Sequence, residues 1–270
     1  AQAGFKVVLC SRSREAGLNA VASLPTEDGR LVCVAQLNLA DLVSVDAAAE
    51  EIATLAGPRI DFLVLNAGIM ATPTRETTTQ GFELQVGTNH FGHFRLAEKL
   101  WSRVAQKECR TVVLSSTAHT FGGVELDDLH YTKGRAYSPW GAYGQSKACN
   151  LLFAKELSER LAPSGASAFS VHPGVIRTNL WREDQGPSFL NRLGFLSFNK
   201  LLPKLLSDKT IEQGAATTVY ACLAPRLDKS FAGAYFADCN VATPAAAMSD
   251  PDLRKQLWEI TEAQIAEVLK

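Results

Sequence analysis

The sequence predicts a single α/β domain, spanning residues 1–270, built on a doubly wound parallel sheet. Three observations predict it. Short apolar runs rich in β-branched residues alternate with longer segments of helical pattern along the whole chain. The runs are near-continuously apolar, which suits strands buried on both faces of a parallel sheet. The 270 residues, 46% hydrophobic and 20% charged, can bury a sizeable core, and no repeat, low-complexity tract or linker divides them. Right-handed crossovers leave few other topologies for strand, helix and strand repeated in this way.

Each element follows in chain order. Phe5 to Cys10 reads as a strand and Arg14 to Leu24 as a helix. Leu31 to Leu37 is the next strand, leading into a helix over Leu42 to Ala56. The strand Ile60 to Leu65 precedes one long helical pattern, Gly81 to Ala105. Thr111 to Ser115 is a strand, followed by a polar loop through Glu125-Leu126-Asp127-Asp128 and a helix over Ala142 to Leu161. Ser167 to His172 is a strand, Glu212 to Leu223 a helix, Gly233 to Phe236 a strand and Asp252 to Leu269 a helix. The stretch 186–206 breaks the rhythm, with aromatics and leucines at mixed spacing between breakers. It reads as a lid over an apolar pocket, as a docking surface, or as packed core.

Composition removes several function classes. Twenty-seven Lys+Arg against 28 Asp+Glu leave a net charge of -1, so no global field attracts nucleic acid or an anionic membrane. Six cysteines (Cys10, Cys33, Cys109, Cys149, Cys222, Cys239) show no CxxC pair and no ligand-like spacing to histidine. That argues against a disulfide scaffold or metal site and for a reducing, intracellular compartment. No apolar run approaches the roughly 18 to 20 residues needed to cross a bilayer.

The chemistry gathers at predicted strand ends. Tyr143-Gly144-Gln145-Ser146-Lys147 lies near a helix start, and residues four apart share one face. A cation beside the phenol favours phenolate and lowers its pKa from about 10 toward neutrality, where proton transfer is efficient. Ser115 and Ser116 close one strand at the carboxyl edge, where open α/β sheets place their sites. Asn66-Ala67-Gly68 closes another, with a glycine suited to close backbone approach. Asn89 sits inside a helix that it favours poorly. Pro173-Gly174 follows a third strand, with Thr178 four residues on. A turn, a helix bend or ordinary punctuation explains each alone; one sheet edge for all of them points to a site.

On these residues the chain resembles the short-chain dehydrogenase/reductase family over its whole length, which implies a Rossmann-like fold. Asn89-His90-Phe91-Gly92-His93-Phe94, Leu114 to His119, Val171 to Gly174 and Tyr235 to Asn240 are similar to its retinol-dehydrogenase-like branch. That branch includes a chloroplast member associated with protein import, and it separates its serine and tyrosine widely, as here. The resemblance implies that Tyr143 is the acid/base and, with Lys147, binds the cofactor, and that Lys147 lowers its pKa and bonds the nicotinamide ribose. It implies that Ser116 donates to the substrate oxygen and that Asn89 holds a water linking Lys147 to solvent. Asn66, Ala67 and Gly68 would lie along the adenosine, and Pro173, Gly174 and Thr178 at the carboxamide. The segment Ser11-Arg12-Ser13-Arg14 has no acid before Glu15. An acid there would repel a 2′-phosphate, so Arg12 points to NADP(H), with Asn38 at the adenine amine.

The implied function is an NADP(H)-dependent oxidoreductase interconverting an apolar, retinal-like aldehyde or ketone and its alcohol. Alternatives are a redox-sensing interaction protein docking on a partner or membrane through 189–206, and a protochlorophyllide-type reductase, for which Cys149 stands two past Lys147. A homodimer through the helices Gly81 to Ala105 and Ala142 to Leu161, in the cytoplasm or a plastid, fits the resemblance. The family's first strand and its turn Thr-Gly-x-x-x-Gly-x-Gly have no counterpart in the sequence. The expectation is an N-terminally incomplete chain with an open place between the Phe5 and Ile60 strands, binding NADP(H) poorly alone.

Overall fold

The computed structural model describes residues 4–24, 32–176, 209–225, 227 and 229–270. Thr178 and the segment 186–206 lie outside the described residues. Strand β1 (Val7–Ser11) pairs in parallel with β2 (Val32–Gln36), Val7 opposite Val32. Strands β3 (Phe62–Leu65), β4 (Arg110–Leu114), β5 (Ser167–His172) and β6 (Tyr235–Ala237) form a second parallel ladder in that order. The two residues of β7 (Asn240–Val241) return antiparallel on β6.

The single continuous sheet that the sequence predicts is therefore two sheets among the described residues. Between β1 and β3 lies a cleft of about 1260 Å³, lined by Val7 to Ser11 on one side and Phe62 to Leu65 on the other. This is where the sequence places an open strand position. Every residue of β1 is only half-buried and Val64 on β3 is 40% exposed, although both runs read as fully covered strands. Their inner edges face the cleft rather than a neighbour.

The β1–β2 pair is held instead through the helix that follows it. Helix α1 (Arg14–Ala22) starts at Ser13, whose hydroxyl accepts from Ala16 N, and α2 (Leu42–Ala56) starts at Asp41, which accepts from Val43 N. Leu42, Val45, Ala48 and Ile52 of α2 share one core with Leu37, Leu39, Phe91 and Phe94. Arg95 grips Asp46 of α2 through Nε and Nη2, at 2.6 and 2.7 Å.

The predicted helix Gly81 to Ala105 is broken. It comprises α3 (Leu84–Val86), a π turn (Gly87–Phe91), α4 (Gly92–Lys99) and α5 (Trp101–Val104), with Leu100 off the helical path. Gly92 lets α4 approach β2's exit loop, since a Cβ there would meet Leu39 O at 2.4 Å. Helix α6 (Pro139–Leu161) starts three residues before the predicted Ala142, because Ser138 caps it and Pro139 suits the first turn. Helix α7 (Ile211–Leu223) opens on a Thr210–Gln213 capping box, and α8 (Pro251–Val268) on Asp250.

Helix α8 lies over α4 and α6, the faces through which the resemblance implies pairing. Its Trp258 meets Phe94 edge-on at 4.6 Å and stacks on Phe153 at 5.8 Å, and its Arg254 pairs with buried Glu156 at 3.0 Å. No described helix is long and apolar enough to cross a membrane.

Candidate active site

Tyr143 and Lys147 sit one turn apart near the start of α6, both buried. Ser116 follows β4 in extended conformation and caps the 3₁₀ turn Thr117–Thr120, its Oγ accepting from Ala118 N at 3.2 Å. Its side chain lies near enough to the Tyr143 phenol to lower that group's pKa slightly. The two serines part company here. Ser115 is buried and spends its hydroxyl on Lys147 O at 2.7 Å, while Ser116 faces the phenol.

Two close glycine contacts make that meeting possible. A Cβ on Gly144 would lie 2.7 Å from Ala118 O and 2.8 Å from Gly122 Cα, and one on Gly122 would meet Gly144 C at 2.0 Å. The turn after Ser116 can therefore press directly on α6 beside Tyr143. His119 adds a tie: its Nδ1 bonds Ser116 O at 2.6 Å, so its Nε2 is the acceptor for Ala245 N at 3.1 Å.

The electrostatics depart from the sequence expectation. Burial pushes the Tyr143 phenol up to about 12, against a smaller lowering by the nearby Ser116 side chain. Lys147 does not pull it down. Its Nζ donates to Leu114 O at 3.2 Å and lies 5.6 Å from the Tyr143 ring centroid, and burial lowers its own pKa to about 8. The phenol thus keeps its proton near neutral pH.

Asn89 occupies the middle of the π turn and is wholly buried. Its Oδ1 accepts from Ile69 N at 2.8 Å, and its Nδ2 donates to Ile69 O and Ser146 Oγ, both at 2.9 Å. It ties the Asn66–Gly68 loop to α6. Gly68 completes the junction: a Cβ there would lie 2.9 Å from Asn89 Oδ1 and 3.5 Å from Lys147 Nζ. Met70, Ala71 and Ala118 pack around Tyr143, with Trp140 against the cluster.

The remaining predicted residues lie along the cleft or at its far end. Arg12, Asn38, Asn66, Ala67 and Gly68 all line it, whereas Ser116, Tyr143 and Lys147 do not. Arg14 is committed to Glu51 and to Val34 O, and Arg12 is exposed with no ion pair among the described residues. The Asn38 amide oxygen caps Ala40 N at 3.2 Å. Pro173 O accepts from Lys209 Nζ at 3.5 Å, and Gly174 takes φ +89, so a side chain there would be strained and would strike Lys209. Cys149 is buried in the core, and burial pushes its thiol up, which suits packing rather than proton donation.

The short chain dehydrogenase family model matches residues 1–186. The chain belongs to the short-chain dehydrogenase family. It is an oxidoreductase of that family, with relatives in its retinol-dehydrogenase-like branch. It is 33% identical to retinol dehydrogenase 14 of Mus musculus, covering 97% of this chain and 79% of that one. It is 36% identical to the chloroplastic short-chain dehydrogenase TIC 32 A of Brassica napus, covering 96% and 80%. A crystal structure of an uncharacterised protein from Mycobacterium paratuberculosis superposes with a TM-score of 0.73 at 30% identity, over 98% of this chain and 85% of that one. The NADPH-bound carbonyl reductase from chicken fatty liver shares the fold, with a TM-score of 0.60 at 18% identity over 88% and 87%.

Reading the sequence for family motifs gave no role to Gln85, Gly122, Gly144 or His119, which hold the motif residues together. Gly144 lies inside the Tyr143–Lys147 pattern, but its use depends on a contact with Gly122 that no local pattern displays.

Proposed function

We propose that the chain is an NADP(H)-dependent oxidoreductase that interconverts an apolar aldehyde or ketone and its alcohol. The buried Tyr143 phenol beside Ser116, walled by Met70, Ala118 and Trp140, carries this reading. A neutral phenol beside a serine hydroxyl is a proton donor in apolar surroundings, which carbonyl reduction requires. The residues present fit the cofactor: the Gly68 side of the cleft admits no side chain, and exposed Arg12 offers a guanidinium to a 2′-phosphate. NADPH of that carbonyl reductase's kind, when bound, supplies the hydride.

The chain's residues do the rest. Ser116, whose oxygen is already occupied by Ala118 N, directs its proton outward to the substrate oxygen. Tyr143 passes its proton to the developing alkoxide, and Lys147, one turn further along α6, would bond the nicotinamide ribose. Asn66, Ala67 and Gly68 would border the adenosine, Asn38 the adenine, and Pro173, Gly174 and Thr178 the nicotinamide carboxamide. The docking alternative rests on 189–206, outside the described residues, and gains no support from the rest.

The test is an NADPH titration by thermal shift, on the 270 residues and on a chain extended upstream by a strand and glycine-rich turn. With the β1–β3 cleft open, NADPH is expected to bind the shorter form weakly and the extended form well, followed by NADPH-linked reduction of apolar aldehydes. Tight binding by the 270 residues would show that the open β1–β3 cleft does not weaken the cofactor site. Binding by neither form would sink the enzyme reading.

A further inference from the structure

We propose that Gln85 is a positioning residue for the reaction, fixing the spacing between the cofactor-side loop and the helix that carries Tyr143. This rests on the reading of Tyr143 as the proton donor. Gln85 is completely buried in α3, one turn before Asn89, and no sequence motif draws attention to it. Its Oε1 accepts from Ala71 N at 2.7 Å. Its Nε2 donates to Tyr137 Oη at 2.9 Å and to Pro139 O at 3.0 Å. Both amide hydrogens and the amide oxygen are therefore used, each on a different element.

The places it touches matter. Ala71 has φ +50, a left-handed conformation that a residue with a Cβ holds only when its surroundings impose it. Ala71 is buried, so its N–H needs a partner, and Gln85 is the one it has. The turn at Ala71 places Met70 in the cluster around Tyr143. Pro139 opens α6 one turn before Tyr143. Tyr137 extends the clamp, since its hydroxyl meets Thr72 Oγ1 at 2.6 Å and donates to buried Glu83 at 3.2 Å.

Asn89 makes the parallel tie from Ile69 to Ser146. Two amides, four residues apart on one helical face, thus bridge the same loop to the same helix at two levels. Asn89 holds the loop near Lys147, and Gln85 holds it near Tyr143. Loss of the Gln85 level leaves Tyr143 in place but frees Met70 and Ala71 to drift relative to its hydroxyl. Misplacement on the ångström scale costs turnover more than affinity.

The experiment compares wild type, Q85M and Q85E in whichever form binds NADPH, measuring amide exchange at Ala71 together with kcat and KM. Q85M keeps the volume without the bonds. It is expected to exchange Ala71 about tenfold faster and to lose about 100-fold in kcat, with KM for the aldehyde within about threefold. Q85E keeps the acceptor for Ala71 N but loses both donors, so it should keep Ala71 protected and lose kcat by a smaller factor. Unchanged Ala71 exchange in Q85M, or wild-type kcat with a lowered Tm only, overturns the proposal. If Q85M does not fold, wild-type kcat in Q85E overturns it. If wild type itself shows no turnover, the Tyr143 reading has failed, and Ala71 exchange alone judges the clamp.

Discussion

From β3 to β7 the strands form one hydrogen-bonded ladder, and the residues above its carboxyl edge are tied to one another. Ser115 bonds Lys147, the Ser116 turn packs on α6 through Gly122 and Gly144, and Asn89 joins Ile69 to Ser146. The β1–β2 pair is different. Its strands bond only each other among the described residues, its first strand is half-buried throughout, and it reaches the rest through α2. The half that holds Tyr143 is assembled by the chain's own side chains, whereas the half that holds Arg12 borders an open cleft; on the proposed function the first handles protons and the second the nucleotide. Lesions in the first half should therefore change turnover, and lesions in the second should change affinity.

The sharpest attack on that division is Tyr143→Phe. Deleting one buried hydroxyl leaves the ring's packing with Met70 and Ala118 intact, so Tm should hold within a few degrees. Carbonyl reduction should fall by about 10³-fold, within the usual range for a removed general acid. NADPH affinity should be unchanged, because Tyr143 does not line the cleft. Kinetics beside an NADPH titration check this, and retained turnover would take Tyr143 out of the chemistry.

Gly144→Ala attacks the same half through packing. The new Cβ strikes Ala118 O and Gly122 backbone, which cannot rotate away. A cost of about 1–3 kcal/mol is expected, with loss of turnover as Ser116 is pushed from Tyr143. Gly123→Ala is the control, since the nearest atom to its Cβ is Glu125 Oε1 at 3.9 Å. Urea unfolding of both variants separates the contact from a general intolerance of alanine in this turn.

These glycines show where the sequence stops being legible. Strand ends and the Tyr143–Lys147 spacing are local, and the strands read correctly to within two residues. The π turn is not local: Asn89 reads only as a poor helix former, and its bonds to Ile69 and Ser146 are what mark the turn. Gln85 was hidden for the same reason, although a second amide one turn before Asn89 on a buried face was a usable signal. The direction of the Tyr143 shift was misread because spacing shows the cation but not the burial that outweighs it.

Acid should loosen the closed half from outside. Thr261 donates to Leu257 O, so His90 Nε2 must be the donor in its 2.9 Å bond to Thr261. Burial holds His90 down at about 3 and His93 at about 4, and it lowers His130, whose Nδ1 accepts from Glu83 N. Unfolded histidine titrates near 6.5, so the folded state binds fewer protons below that pH. This stability is fully present above about 6.5 and is lost as pH falls toward 4. Tm should drop across that window, with Trp258 fluorescence reporting release of α8 from Phe94 and Phe153. His90→Gln, which can donate without titrating, should flatten the dependence; an unchanged slope would remove His90 from the account.

The smallest expected effect tests the open half directly. Arg12 is exposed beside the cleft, while Arg14 next to it is spent on Glu51. An exposed guanidinium on a 2′-phosphate is worth about 1–1.5 kcal/mol after solvent screening, or about tenfold in affinity. Arg12→Ala should therefore weaken NADPH about tenfold, leave NADH unchanged and leave kcat at saturating NADPH near wild type. Arg14→Ala should instead lower Tm, by freeing Glu51, without separating the two nucleotides. If Arg12→Ala lowered kcat as strongly as affinity, the two halves would be coupled, and the division between turnover and affinity would not hold.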